Sequence, residues 1–299
     1  MMWRKVTRIG LVGLLALPLS IYALNGSAND SANDLDKASN KAPMNAADRL
    51  LPRLSTITES ELTELANRIR FNETANRAEW QVFWSPHEAF PSLGLGHFIW
   101  LPADVAVEFE PAFPAMAQFV AQHYPTAAWL LAEHAPWATR AEFVAAQQAG
   151  HEDIQELQAW LLATQTWQMV FILERFAERA ELAKARLALT DPDPRWQLFM
   201  HLMTSTAGRY ALIDYSNFKG WGDLEQERYQ GQGWGLFNVL NQMLVTNENI
   251  MKTNKNNLLK SFADAAYQVL EQRVSLAPNP EERWLPGWKV RTQTYRKEF

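Results

Sequence analysis

The pattern of apolar and polar positions divides the chain into a polar opening and a long, mostly helical body. Between 29 and 55 few residues can be buried, and Ser27-Ala28-Asn29-Asp30 is echoed by Ser31-Ala32-Asn33-Asp34, so a flexible linker is expected there. Order begins at Thr58, which forms a capping-box pattern with Glu61. Leu62, Leu65, Ala66 and Ile69 follow at helical spacing and predict a helix over about 59–72. Residues 78–101 change period. Trp80, Val82, Phe83 and Trp84 are strand formers, Ser85-Pro86 marks a turn, and Phe98-Ile99-Trp100 closes the run before Pro102. A small hairpin or a three-stranded sheet is expected.

Beyond that point the pattern predicts helices alone, over 111–123, 126–133, 140–149, 152–189, 195–216, 235–246, 256–274 and 281–297. The longest stops at Asp191-Pro192-Asp193-Pro194, where each proline disfavours helical backbone before it. Its Trp160, Leu161, Trp167, Val170, Phe171, Leu173 and Phe176 read as a central core helix packed on most sides, the alternative being a ligand-binding aromatic box. No internal repeat is visible. The fold class expected is mainly α (α+β), with a small β element near the N-terminus followed by a helical lobe over 56–299.

Composition adds a compartment. Arg4, Lys5 and Arg8 precede a 16-residue apolar run from Ile9 to Leu24 and the small residues Gly26-Ser27-Ala28. That is the pattern of a secretory signal peptide over 1–28. The run, with Pro18 inside it, is short for a hydrocarbon core of ~30 Å, and an uncleaved N-terminal anchor is the alternative. A periplasmic location and no membrane contact beyond this segment are expected. The chain has no cysteine, so its stability rests on its core rather than on disulfides. The net charge is −5 and becomes −8 once the three basic residues of 1–28 are removed. Such a balance argues against nucleic acid as a partner, because phosphate neutralisation needs clustered Lys and Arg.

The candidate chemistry starts at Glu73, which continues the stripe 62, 65, 66, 69 of its own helix. A carboxyl on the buried face near a helix C-terminus is pushed toward its protonated form by desolvation and by the helix dipole. It can then donate a proton. The alternative is a carboxylate paired with an arginine. In Ser92-Leu93-Gly94-Leu95-Gly96-His97, two glycines two apart suggest a place where another group approaches the backbone. Ser92 and His97 could hydrogen-bond a water or a sugar hydroxyl, and Glu88, beside His87 in the preceding turn, is the candidate second carboxylate. Tyr215 to Gly222 and Arg228 to Gly235 mix glycine, aromatic and polar residues. Asn217, Lys219, Trp221 and Tyr229 could form a sugar-binding wall there, the alternative being a glycine-rich helix connection with a buried Trp. No His-Glu-x-x-His or Gly-x-Ser-x-Gly pattern occurs, and neither a metal site nor a cofactor is expected.

Three stretches together resemble phage-type lysozymes. Glu73 looks like the catalytic Glu that those enzymes place at the end of their first helix, and Ser92 to His97 is similar to their Thr-Ile-Gly-Ile-Gly-His run. Arg209-Tyr210-Ala211-Leu212-Ile213-Asp214 is similar to their Arg-x-Ala-Leu-Ile-Asn helix. Pro278-Asn279, Arg283 and Thr294-Tyr295-Arg296 are similar to their C-terminal Pro-Asn-Arg…Thr-Phe-Arg helix. The resemblance implies a lysozyme-like fold and cleavage of peptidoglycan glycan strands, with Glu73 as general acid and Glu88 and Ser92 handling water. A lytic transglycosylase using the same Glu, and an inactive peptidoglycan-binding or scaffold protein, are the alternatives. The departures are a longer spacing from Glu73 to Ser92, Pro86 at the family's Asp position, a longer stretch over about 103–195, and an acidic rather than basic chain.

Overall fold

The computed structural model describes residues 57–74, 81–107 and 109–297. The signal peptide and linker expected over 1–55 lie outside them. Among the described residues the protein has ten α-helices and a small three-stranded antiparallel sheet, with a second two-stranded hairpin. None of these helices is long and apolar enough to cross a membrane.

Helix α1 (Glu59–Thr74) begins as its capping box dictates. Glu61 Oε2 accepts from the Thr58 N–H at 2.9 Å, and the Glu61 N–H donates back to Thr58 Oγ1 at 3.3 Å. The second carboxylate oxygen accepts from the Thr206 hydroxyl at 2.6 Å and from Arg209 at 3.3 Å. One glutamate thereby closes a helix end and ties that helix to another 145 residues away. The Thr206 hydroxyl is the largest cause holding this carboxyl below its ordinary range.

Strands β1 (Val82–Phe83), β2 (Ser92–Leu93) and β3 (Phe98–Ile99) follow in that order, with Phe83 opposite Ser92 and Ser92 opposite Ile99. Next come α2 (Ala112–Ala121), a 3-10 turn at Ala128–Leu131, and α3 (Arg140–Ala149), capped by Thr139 and ended by Gly150 at φ 64°. The single helix expected over 152–189 is two: α4 (Glu152–Ala163) and α5 (Gln165–Arg186). The break falls at Thr164, at φ −106° and ψ 13°, whose hydroxyl bonds back to the Trp160 carbonyl at 2.8 Å. The helix expected over 195–216 is also two: α6 (Pro194–Leu202), capped by Asp193, and α7 (Thr206–Lys219), capped by Ser205. Strands β4 (Arg228–Tyr229) and β5 (Gln232–Gly233) precede α8 (Leu236–Thr246), α9 (Lys255–Leu276) and α10 (Leu285–Gln293), which ends in a 3-10 turn at Thr294–Arg296.

The core is one continuous cluster with three aromatic foci. Trp100 stacks on Phe113 at 4.3 Å near the sheet. Phe176, Phe199, Phe237 and Trp221 meet between α5, α6 and α8. Tyr210, Tyr215, Phe262 and Tyr295 meet between α7, α9 and the C-terminal turn. Such interlocked rings hold their neighbours more specifically than aliphatic packing does.

Candidate functional site

The last turn of α1 is fixed by a chain of hydrogen bonds. Asn72 Nδ2 donates to the Tyr210 hydroxyl at 2.6 Å, and that hydroxyl shares a hydrogen with Thr294 Oγ1 at 2.7 Å. Tyr210 is buried edge-on against Tyr295, with the Arg68 guanidinium over its ring. One turn further along α7, Asp214 accepts from Arg291 Nε and Nη2, both at 2.9 Å, and from the Tyr295 hydroxyl at 2.5 Å. Three stretches far apart in the chain (the end of α1, 209–214 on α7, and 291–295) therefore meet at one place. Glu73 follows Asn72 in α1; its side chain lies outside what is described.

The hairpin run is buried throughout from Pro91 to Trp100. Ser92 sits in the middle strand. His97 occupies the left-handed region at φ 47° in the β2–β3 turn, its N–H reaching the Gly94 carbonyl at 3.3 Å. The group that approaches the Gly94 backbone is part of the protein. A Cβ on Gly94 (φ 69°) would stand 2.6 Å from Gln168 Oε1 and 2.9 Å from Leu161 Cδ2. Gln168, fully buried on α5, accepts from the Leu95 N–H at 2.9 Å and donates to the Leu161 carbonyl at 2.7 Å and Thr164 Oγ1 at 2.9 Å. The break at Thr164 is what lets this one amide clasp the hairpin turn.

Glu88 lies in the turn between β1 and β2, half-buried. The turn is anchored by the Trp84 indole N–H on the Glu88 carbonyl at 2.9 Å and by Arg140 on the Trp84 carbonyl at 2.9 Å. Burial raises the Glu88 carboxyl above its ordinary value, with His87 opposing. Pro86, two residues earlier, brings no ionisable group.

The segment 217–235 differs from an open sugar-binding wall. Trp221 is a core residue, 5.1 Å from Phe176 and within ring contact of Phe199 and Phe237. Its glycines serve the wrapping of a buried carboxylate: Glu227 accepts from the Trp221 N–H at 3.2 Å and from the Gly222 N–H. A Cβ on Gly220 (φ 82°) would overlap Glu227 Oε1 at 1.8 Å. Lys219 is buried, Asn217 is half-buried, and the half-buried Tyr229 donates its hydroxyl to Glu281 Oε1 at 2.9 Å. Asn72, Gln168, Glu227, Arg273 and Glu281 were not singled out by sequence, since each acts through a partner distant in the chain or through loop curvature that no local pattern reveals.

No family model, curated protein or solved structure matches this chain. Among the described residues no three His, Asp or Glu side chains gather as metal ligands would.

Proposed function

We propose that this protein is an exported enzyme that cleaves the glycan strands of peptidoglycan, with Glu73 as general acid, on a lysozyme-like arrangement. The observation that carries the reading is the Asn72–Tyr210–Thr294 hydrogen-bond chain beside Glu73. It joins the end of α1 to the two downstream stretches that resemble phage-type lysozymes, whereas the Ser92–His97 run packs on Gln168 of α5. The three-stranded sheet that follows α1 supports the same reading.

In this reading Glu73 gives its proton to the glycosidic oxygen as the bond to the anomeric carbon breaks, and the sugar passes through an oxocarbenium-like state. Water then adds to the anomeric carbon, its proton taken by a second carboxylate, with Glu88 in that role and Ser92 orienting the water. A second reading is favoured by Pro86 at the family's Asp position and by the burial that raises the proton affinity of the Glu88 carboxyl. In a lytic transglycosylase the sugar's own C6 hydroxyl attacks the anomeric carbon, and no water-activating carboxylate is required.

The test is digestion of purified sacculi by the wild type and by Glu73→Gln, with the released fragments read by mass. Fragments with reducing ends mark the hydrolase; fragments lighter by one water, with an internal anhydro ring, mark the transglycosylase. If the wild type releases nothing, or Glu73→Gln releases as much, the enzymatic reading fails. Retention on sacculi without release then points to a binding protein.

A further inference from the structure

Lys219, the last residue of α7, is 7% exposed, and its ammonium lies on the ring faces of Trp288 at 3.6 Å and Phe218 at 4.2 Å. Among the described residues it makes no hydrogen bond and no ion pair. The charged and titratable groups around it come from α9, α10, β4, the segment just before the Glu282–Trp284 turn and its own helix α7. Arg273 on α9 spans both oxygens of Glu281, at 2.8 and 3.1 Å, and the Tyr229 hydroxyl of β4 donates to the same carboxylate. Arg291 on α10 spans both oxygens of Asp214.

Two carboxylates are thus engaged by two guanidiniums, and Lys219 has no ion-pair partner of its own among the described residues. Its three donors have no protein acceptor among the described residues, and its nitrogen keeps some contact with solvent, where an oxygen brought by a ligand could reach it. Burial first, then Arg273 and Arg291, lower the proton affinity of this amine well below that of free lysine, with Glu281 opposing.

We propose that Lys219 is a receptor for an anionic group, a carboxylate or a phosphate, that pairs with its side-chain nitrogen. An anion there favours the protonated amine, so binding is accompanied by proton uptake. Resting on the glycan-cleaving reading, the carboxylate would be that of a muramyl residue; a free anion offers the same chemistry without the sugar.

The test is calorimetric titration of the Glu73→Gln chain, so that cleavage does not interfere. The probes are N-acetylmuramic acid, N-acetylglucosamine, acetate and inorganic phosphate, in two buffers of different ionisation enthalpy. N-acetylmuramic acid is expected to bind at least about tenfold more tightly than neutral N-acetylglucosamine, with net proton uptake. Its affinity falls by up to about tenfold per pH unit as the free amine loses its proton. Lys219→Met should weaken binding at least about tenfold, an effect of the size expected when a charged partner is lost. Lys219→Arg, whose cation does not titrate, should bind without proton uptake.

Should the methionine variant fail to fold, the arginine variant decides by that loss of uptake. Binding of phosphate or acetate with proton uptake, but not of N-acetylmuramic acid, upholds the receptor and assigns it to free anions. The proposal is overturned if no probe binds with proton uptake, or if uptake is unchanged in Lys219→Arg. Sacculus digestion is read separately, so failure of one reading is distinguishable from failure of the other.

Discussion

Gly94→Ala tests whether the glycine run of the hairpin is a packing device or an opening for a ligand. Two costs add. Gly94 has φ 69°, and a Cβ in the left-handed region costs about 1–2 kcal/mol. The new methyl would also stand 2.6 Å from Gln168 Oε1, the acceptor of the buried Leu95 N–H. Displacing that oxygen leaves a buried donor unpaired, at about 1–3 kcal/mol. The expected loss is therefore about 2–5 kcal/mol, a large part of a typical stability of about 5–15 kcal/mol. Urea unfolding followed by tryptophan fluorescence measures it, with the slope compared between variants to verify two-state behaviour. Gly96→Ala is the internal control. Its φ is not positive and its Cβ would meet only the Phe98 ring at 2.9 Å and Ile172 at 3.3 Å, so about 1–3 kcal/mol of overpacking is expected. Because the Gly94 clash is with Gln168 itself, Gly94→Ala and Gln168→Ala together should cost less than their sum by at least about 0.5 kcal/mol. A Gly94→Ala protein within about 0.5 kcal/mol of wild type, or strictly additive costs, would refute the reasoning.

Two further outcomes follow from buried charge. Asp214→Ala removes the partner of Arg291 and of the Tyr295 hydroxyl and should cost about 3–5 kcal/mol, while Asp214→Leu with Arg291→Met should recover most of it. Thermal unfolding of the single and double variants checks this, and a double variant no more stable than Asp214→Ala would count against it. Glu88 has a folded pKa raised above its ordinary 4.5, so the stability it contributes is complete below that value and is lost as pH rises through the folded pKa. Glu88→Gln should therefore flatten the fall in melting temperature as pH rises above about 4.5. An unchanged pH profile would show that this carboxyl is as well solvated folded as unfolded.

Elements whose signals are local were legible in the chain. Thr58 and Glu61 announce the start of α1, Thr139 and Gly150 bracket α3, and the strand formers around Ser85-Pro86 announce the sheet. What escaped depends on distant partners. The break at Thr164 is hidden because apolar residues continue at helical spacing on both sides of it, and only the hairpin turn that Gln168 clasps gives the break a purpose. Trp221 reads as a loop aromatic because glycines surround it. Those glycines allow the backbone to fold around Glu227, and that folding carries the indole into the core. For the candidate site, the resembling stretches are visible in the sequence, whereas the meeting of the α1 end with 209–214 and 291–295 through Asn72, Tyr210 and Thr294 is a tertiary fact.

That meeting also fixes how the two proposed sites relate. Helices α7 and α10 run antiparallel, since Tyr210 faces Thr294, Asp214 pairs with Arg291, and Lys219 lies on Trp288. The acid is proposed beside the first of these contacts and the anion receptor at the last. Nine residues of helix separate them, roughly 14 Å at about 1.5 Å per residue. The Asp214–Arg291 pair sits between the two ends and holds the helices in register, which makes it a positioning element for both. Opening that pair should therefore weaken glycan cleavage and anion-linked proton uptake together, whereas Lys219→Arg should abolish only the uptake. A buried ion pair adds little net stability over a well-packed apolar pair. Its value in this protein would lie in fixing that register, and the recovered stability of the Asp214→Leu, Arg291→Met chain allows its activity to be measured free of unfolding.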